Sequence, residues 1–140
     1  MPTVTETAKA ATTAYNDKNW DKVKSAFAEN GIYDEKGTSR RVQGVGKIIE
    51  VWQGWAKAIP DSKATFVGEY ASGDTAIIEV VWKGTHTGTL QTATGTIAPS
   101  SKRIELPACQ VIKVEGGKVK SFTHYFDMAT LLRQIGAFKS

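Results

Sequence analysis

The stretch Gly116 to Phe138, GGKVKSFTHYFDMATLLRQIGAF, joins two kinds of local order. Its two glycines make a turn, Val119 to Phe126 is β-branched and aromatic as a strand requires, and Met128 to Phe138 sets Leu131, Leu132 and Ile135 along one face of a short helix. Asp127 stands at the junction. An acid there either caps the helix, accepting amide hydrogen bonds, or turns into a pocket.

Working outward, Lys63 to Tyr70, Thr75 to Thr87 and Lys102 to Val114 also read as strands. Ser72-Gly73-Asp74, the Gly/Thr-rich Gly88 to Ser101 and Gly116-Gly117 separate the strands, so hairpins and an antiparallel sheet are predicted. Gly88 to Ser101 is the one stretch with the character of a mobile loop. Upstream, Ala8, Ala11, Tyr15, Trp20, Val23 and Phe27 recur at helical spacing over Thr5 to Ala28, with a weak point at Asn16 to Asn19 that bends or divides the helix. Asn30 and Gly31 stop it, Ile32 to Asp34 is a short extended piece, and Arg40 and Arg41 fall in a loop. A second helix, Val45 to Ala58, carries Ile48, Ile49, Trp52 and Trp55 on a stripe that continues to Ile59, and stops at Pro60. Helices first and a meander of strands afterwards is an α+β order: helices on one face of a curved antiparallel sheet, with the concave side filled by side chains or by a ligand.

At 140 residues, 41% hydrophobic and 23% charged, the chain is the size of a single domain able to bury a core unaided. Its one cysteine, Cys109, makes no internal disulfide and reads as a small core residue. The first residues lack the pattern of a signal peptide, and no run approaches the ~18 apolar residues that cross a bilayer, so a soluble, cytoplasmic protein is expected. The net charge of +4 comes from scattered lysines without interleaved aromatics, which argues against nucleic acid. Two distant histidines and no clustered carboxylates argue against a metal site.

Strand alternation assigns faces. In Ala76 to His86 the even positions Ala76, Ile78, Val80 and Trp82 are the buried set, with His86 at its end. Counting from Val119, the odd positions include Thr123 and Asp127, while His124 falls on the other face and reads as structural or interfacial. Neither face of that strand is clearly wet, which suggests cover on both sides and a homodimer through the sheet.

AYNDKNWDKVKSAFAENGIYDEKG (Ala14 to Gly37), GVGKIIEVWQGWAKAIPDSKATF (Gly44 to Phe66), EVVWKGTHTG (Glu79 to Gly88) and the closing stretch together resemble the polyketide-cyclase-like (SnoaL-like, ester cyclase) branch of the nuclear-transport-factor-2-like superfamily. The resemblance covers essentially the whole chain. It implies an α+β cone around a blind apolar pocket, commonly a homodimer, with no metal or organic cofactor. In the cyclases the aspartate before the last helix is the general acid/base of an aldol ring closure, and Asp127 occupies that place. Such a group needs a pKa raised by desolvation. His86 would be its polar neighbour. The cyclases' further helper, on the strand before the last, is here Gln110 or Lys113 rather than a histidine.

The ketosteroid isomerases of the superfamily place their aspartate where Asp34 stands, but their tyrosine position corresponds to Ala11, with Tyr15 one turn later. The epoxide-hydrolase relatives need an Asp-Arg-Asp set that is not evident. Fold does not carry function. The expected catalytic residues are therefore Asp127 and His86. Tyr15, Asp34, Trp52, Trp55, Phe66, Trp82 and Thr123 are expected to bind a hydrophobic carbonyl compound, with a non-catalytic binding protein as the alternative. Against these stand ordinary roles: a cap for Asp127, a satisfied buried imidazole for His86, a turn for Asp34 and core packing for Trp52, Trp55, Phe66 and Trp82.

Overall fold

The computed structural model describes residues 2–92 and 95–137. Helix α1, Val4–Asn16, starts at Thr3, whose hydroxyl accepts the Glu6 amide. The expected weak point is a real break. Lys18 takes a positive φ of 53° and Asn19 caps a second helix, α2 (Trp20–Ala26). Strand β1 (Phe27–Glu35) follows at once, longer than the short piece predicted, and Arg40–Gln43 forms β2 rather than a loop. Helix α3 spans Val45–Ala58, as its apolar stripe requires. Then come β3 (Lys63–Ser72), β4 (Thr75–Thr85), a small hairpin of β5 (Leu90–Thr92) and β6 (Gly95–Ile97), β7 (Arg103–Glu115), β8 (Lys118–Phe126) and α4 (Met128–Gln134). Phe138, assigned above to the last helix, lies outside the described residues.

Six strands make an open sheet in the order β2-β1-β8-β7-β4-β3, and β5-β6 pair separately. The sheet is mixed, not wholly antiparallel, because β1 runs parallel to β8. The strands joined by tight turns are antiparallel by necessity, whereas most of the chain separates β1 from β8 and leaves their relative direction free. Irregular register at Phe66/Gly68 and Lys113/Val114 bends the sheet around the helices.

The second irregularity governs which residues face inward. Val114 pairs with Val119 and Lys113 with Ser121, so Lys120 is an extra residue with no opposite number. Alternation therefore slips by one. Val119 is buried, and the next inward residues are Phe122 and His124. On β4, with no such break against β7, Ala76, Ile78 and Val80 of the even set are buried as read from sequence, while Trp82, read with them, is only partly buried.

The core has two parts. Ala8, Ala11, Tyr15, Phe27, Ile48, Trp52, Ile78, Ile112 and Phe122 fill the space between the helices and the sheet. Ala58, Ile59, Leu90, Ile104, Leu106, Leu131 and Ile135 gather where α3 ends and α4 closes. Trp55, Trp82 and Phe126 touch both, and the cavity lies along that seam.

Candidate functional site

The seam holds a cavity of about 70 Å³. Tyr15 from α1, Tyr33 from β1, Trp52 and Trp55 from α3, Trp82 from β4, and Phe122, His124 and Phe126 from β8 form its aromatic wall. Ile59, Ile104, Leu106 and Leu131 close it on the apolar side. Edge-to-face contacts hold the rings: Tyr15 to Trp52 at 5.8 Å, Tyr15 to Trp82 at 5.3 Å, and Trp52 to Phe122 at 5.5 Å between centroids.

Behind this wall lies a buried polar chain. Glu35 is fully buried, and its carboxylate accepts from Tyr33 Oη (2.7 Å), Thr38 Oγ1 (2.6 Å), Trp55 Nε1 (2.9 Å) and Arg40 Nη2 (3.0 Å). Four donors suit an ionised carboxylate, which has acceptor sites for all of them. Tyr33 has one hydroxyl proton. Since it goes to Glu35, the Oη contact with His124 Nδ1 at 2.9 Å must be donated by the imidazole. Trp82 Nε1 donates to Nε2 of the same ring over a long 3.3 Å. His124 is thus the neutral Nδ1–H tautomer, in the cavity wall, with its Nε2 lone pair taken by Trp82. Burial lowers its pKa to about 4, with the Glu35 charge pulling the other way.

A second polar spot lies on the helical side. Tyr15 Oη and Ser62 Oγ are 2.6 Å apart, and burial pushes the phenol up to about 12, with the Ser62 hydrogen bond opposing. Tyr15 therefore keeps its proton at neutral pH. Lys18 sits over the Tyr15 ring at 4.2 Å and donates to the Ser62 carbonyl. Thr12, also on the cavity, donates to Gln110 Oε1 at 3.3 Å, and the amide nitrogen of the fully buried Gln110 has no partner.

Of the residues nominated from sequence, Tyr15, Trp52, Trp55 and Trp82 line the cavity; the others do not. Asp127 is exposed at the head of α4, where Oδ1 accepts the Ala129 amide at 3.0 Å and Oδ2 the Thr130 hydroxyl at 2.9 Å. The Thr130 hydrogen bond, followed by the Ala129 amide and the Arg133 charge, holds its carboxyl below the ordinary value, opposite to the elevation a cavity acid needs. It is a cap. His86 is buried away from the cavity: Nδ1 accepts the Ser100 amide and lies 2.9 Å from its hydroxyl, which fastens the end of β4 to the following loop. Burial lowers its pKa, and Nε2 is left without a partner.

Asp34 points to the other face of β1 and pairs with Lys36 at 3.0 Å, so the isomerase-type aspartate is not at the cavity. Phe66 packs beneath Lys9, whose Nζ lies 4.7 Å from the ring. Thr123 is on the outward face because of the Lys120 slip. The groups missed are Glu35, Tyr33 and His124. A longer β1 would have put Tyr33 and Glu35 on one face; no sequence signal marked the bulge. Among the described residues no group of three His, Cys, Asp or Glu side chains is arranged to hold a metal, and no helix is long and apolar enough to cross a membrane.

The family model of SnoaL-like polyketide cyclases matches residues 5–135. The chain belongs to that family. No curated protein matches it significantly. Among solved structures it is similar to IdmH from Streptomyces antibioticus, a proposed polyketide cyclase, with 20% identity over 96% of this chain and 99% of that one and a TM-score of 0.81. A hypothetical protein of ketosteroid isomerase-like fold from Catenulispora acidiphila, in complex with trimethylamine, shares 21% identity over 96% and 95%, with a TM-score of 0.80. TsrD from Streptomyces laurentii shares 18% over 96% of each chain, at 0.81. At these identities the likeness shows the fold.

Proposed function

We propose that this SnoaL-like protein performs acid/base chemistry on a hydrophobic carbonyl compound, with His124 rather than Asp127 handling the proton. The observation that carries the reading is the neutral His124 in the wall of an apolar cavity, its Nε2 held only by the long Trp82 hydrogen bond and its Nδ1–H backed by Tyr33 and Glu35. A carbon proton passes to Nε2 as the weak Trp82 hydrogen bond gives way. The ring's positive charge is then balanced through Tyr33 by the Glu35 carboxylate. The electron pair left on carbon delocalises into the carbonyl, whose oxygen accepts a hydrogen bond from the protonated Tyr15 or Ser62 hydroxyl. Returning the proton to oxygen or to another carbon completes an aldol-type closure or an isomerisation. With a pKa of about 4, His124 is a mild base, so the carbon must lie between two activating carbonyls.

The same mildness supports the second reading, a binding protein for a hydrophobic metabolite in which these groups only orient the guest. Deuterium exchange at C2 of ethyl acetoacetate in D2O separates the two. Exchange above the buffer rate that is lost in His124→Gln and kept in Asp127→Asn supports the enzyme; exchange indifferent to His124 refutes it. The expected homodimer is likewise a proposal, supported by Val67, Tyr70, Ile77 and Tyr125 standing exposed on the sheet.

A further inference from the structure

The cavity is too small for a large guest. An engineered apolar cavity that accepts one benzene measures about 150 Å³, roughly twice the volume here. Only a small part of a bulky ligand can sit beside His124; the remainder must lie elsewhere. A groove of about 850 Å³ adjoins the cavity and shares Trp55 with it. One wall is apolar, from Ile97 of β6 and Met128 and Leu132 of α4; Arg40 and Arg41 of β2 also line the groove and make it cationic.

Arg40 is incompletely used. Its Nη2 holds Glu35 at 3.0 Å and its side chain is 41% exposed, yet Nε is buried with no partner. A buried donor on a charged group is costly to leave unpaired, and a carboxylate is the acceptor that matches the guanidinium fork. The nearby acids are already engaged: Glu35 by its four donors and Asp34 by Lys36.

We propose that the groove binds the body of an amphipathic organic acid, its carboxylate on Arg40 and Arg41 and its apolar side along Ile97, Met128 and Leu132, while the reacting end passes Trp55 into the cavity. This rests on the cavity being the ligand site and adds the ligand's class: an anionic compound longer than the cavity. Trp55 is the hinge of the arrangement. Its indole N–H is tied to Glu35, and its ring faces both spaces.

The test uses the full chain with methyl and Arg side-chain labelling, titrated with 4-phenylbutyrate, with the neutral 4-phenylbutanamide, and separately with xenon as a probe of the cavity alone. The acid is expected to bind on the order of tenfold tighter than the amide, shifting Arg40 Nε–H and the methyls of Ile97, Met128 and Leu132. Arg41→Gln, at an exposed position, should reduce that preference, and Arg40→Gln combined with Glu35→Gln, which leaves no unpaired charge, should abolish it. Equal affinity for acid and amide, binding of neither, or shifts confined to Ile104 and Leu106 overturns the proposal. Xenon tells the two readings apart: if it moves the Ile104, Leu106 and Leu131 methyls, the cavity stands even when the groove assignment falls. If xenon moves none of them, the cavity reading falls and this proposal with it.

Discussion

Protonating His124 measures how firmly the fold holds it neutral. Its pKa lies at about 4 instead of 6.5, lowered by burial and only partly restored by Glu35. In the unfolded chain the imidazole titrates near 6.5, so between about 6.5 and about 4 the unfolded state binds more protons than the folded one and stability rises with pH. The contribution is complete above about 6.5, is lost as pH falls toward 4, and changes no further below that. Over this span, at about 1.4 kcal/mol per pH unit, the loss is about 3 kcal/mol, a large share of a typical domain stability of about 5–15 kcal/mol. Urea unfolding of the wild type and His124→Gln, at a series of pH values from about 7 to about 4, isolates it. His86, Asp61 and Asp127, whose pKa values are also lowered, are common to both proteins and cancel. The stability difference between the two proteins should shift by about 3 kcal/mol across the window. Parallel pH profiles would refute the buried, neutral imidazole.

Glu35→Gln should destabilise the fold by about 2–4 kcal/mol, because an amide cannot accept from all four donors and Arg40 loses its partner; equilibrium denaturation with a loss under about 0.5 kcal/mol would contradict the network. Asp127→Asn should lower the urea midpoint only slightly and leave cavity ligand affinity untouched, since it alters a surface cap; a change in affinity would return Asp127 to the site. Tyr125→Lys, on the exposed face of β8, should shift a dimer toward monomer in sedimentation velocity, and an unchanged mass distribution would remove that face as the contact.

The fold was legible because its signals are local and redundant. The stripe of α3, the weak point at Asn16 to Asn19 between α1 and α2, and the glycine turns between strands each require only neighbouring residues. The parallel β1–β8 pair was not legible: it joins distant segments, and a β-branched run carries no record of its partner's direction. The aromatic wall was found through size and apolarity, since Tyr15, Trp52, Trp55 and Trp82 have few places to go but inward. The polar half was not. A buried glutamate is intelligible only with its donors in place, and Glu35 draws those from β1, β2, α3 and the turn at Thr38.

The outward place of Thr123 on β8 has a cause that can be tested. Asp34 stands next to Glu35 and Thr123 next to His124, and of these four His124 alone lines the cavity. On β8 the slip is Lys120, whose Nζ reaches Asn30 Oδ1 at 3.0 Å while its backbone takes the place of no partner on β7. Deleting Lys120 removes the extra residue and leaves Val119 and Phe122 two positions apart, so unbroken alternation keeps Val119, Phe122 and His124 inward. The variant should therefore fold with its imidazole still buried and titrating at about 4, whereas deleting Lys120 and Ser121 together sets Val119 and Phe122 on opposite faces and should unfold the chain or turn His124 outward, toward the ordinary 6.5. Circular dichroism reads the fold and histidine NMR titration the imidazole. A Lys120 deletion that unfolds, or whose His124 titrates at about 6.5, would show that Lys120 is not the residue that reconciles an inward Val119 with an inward His124.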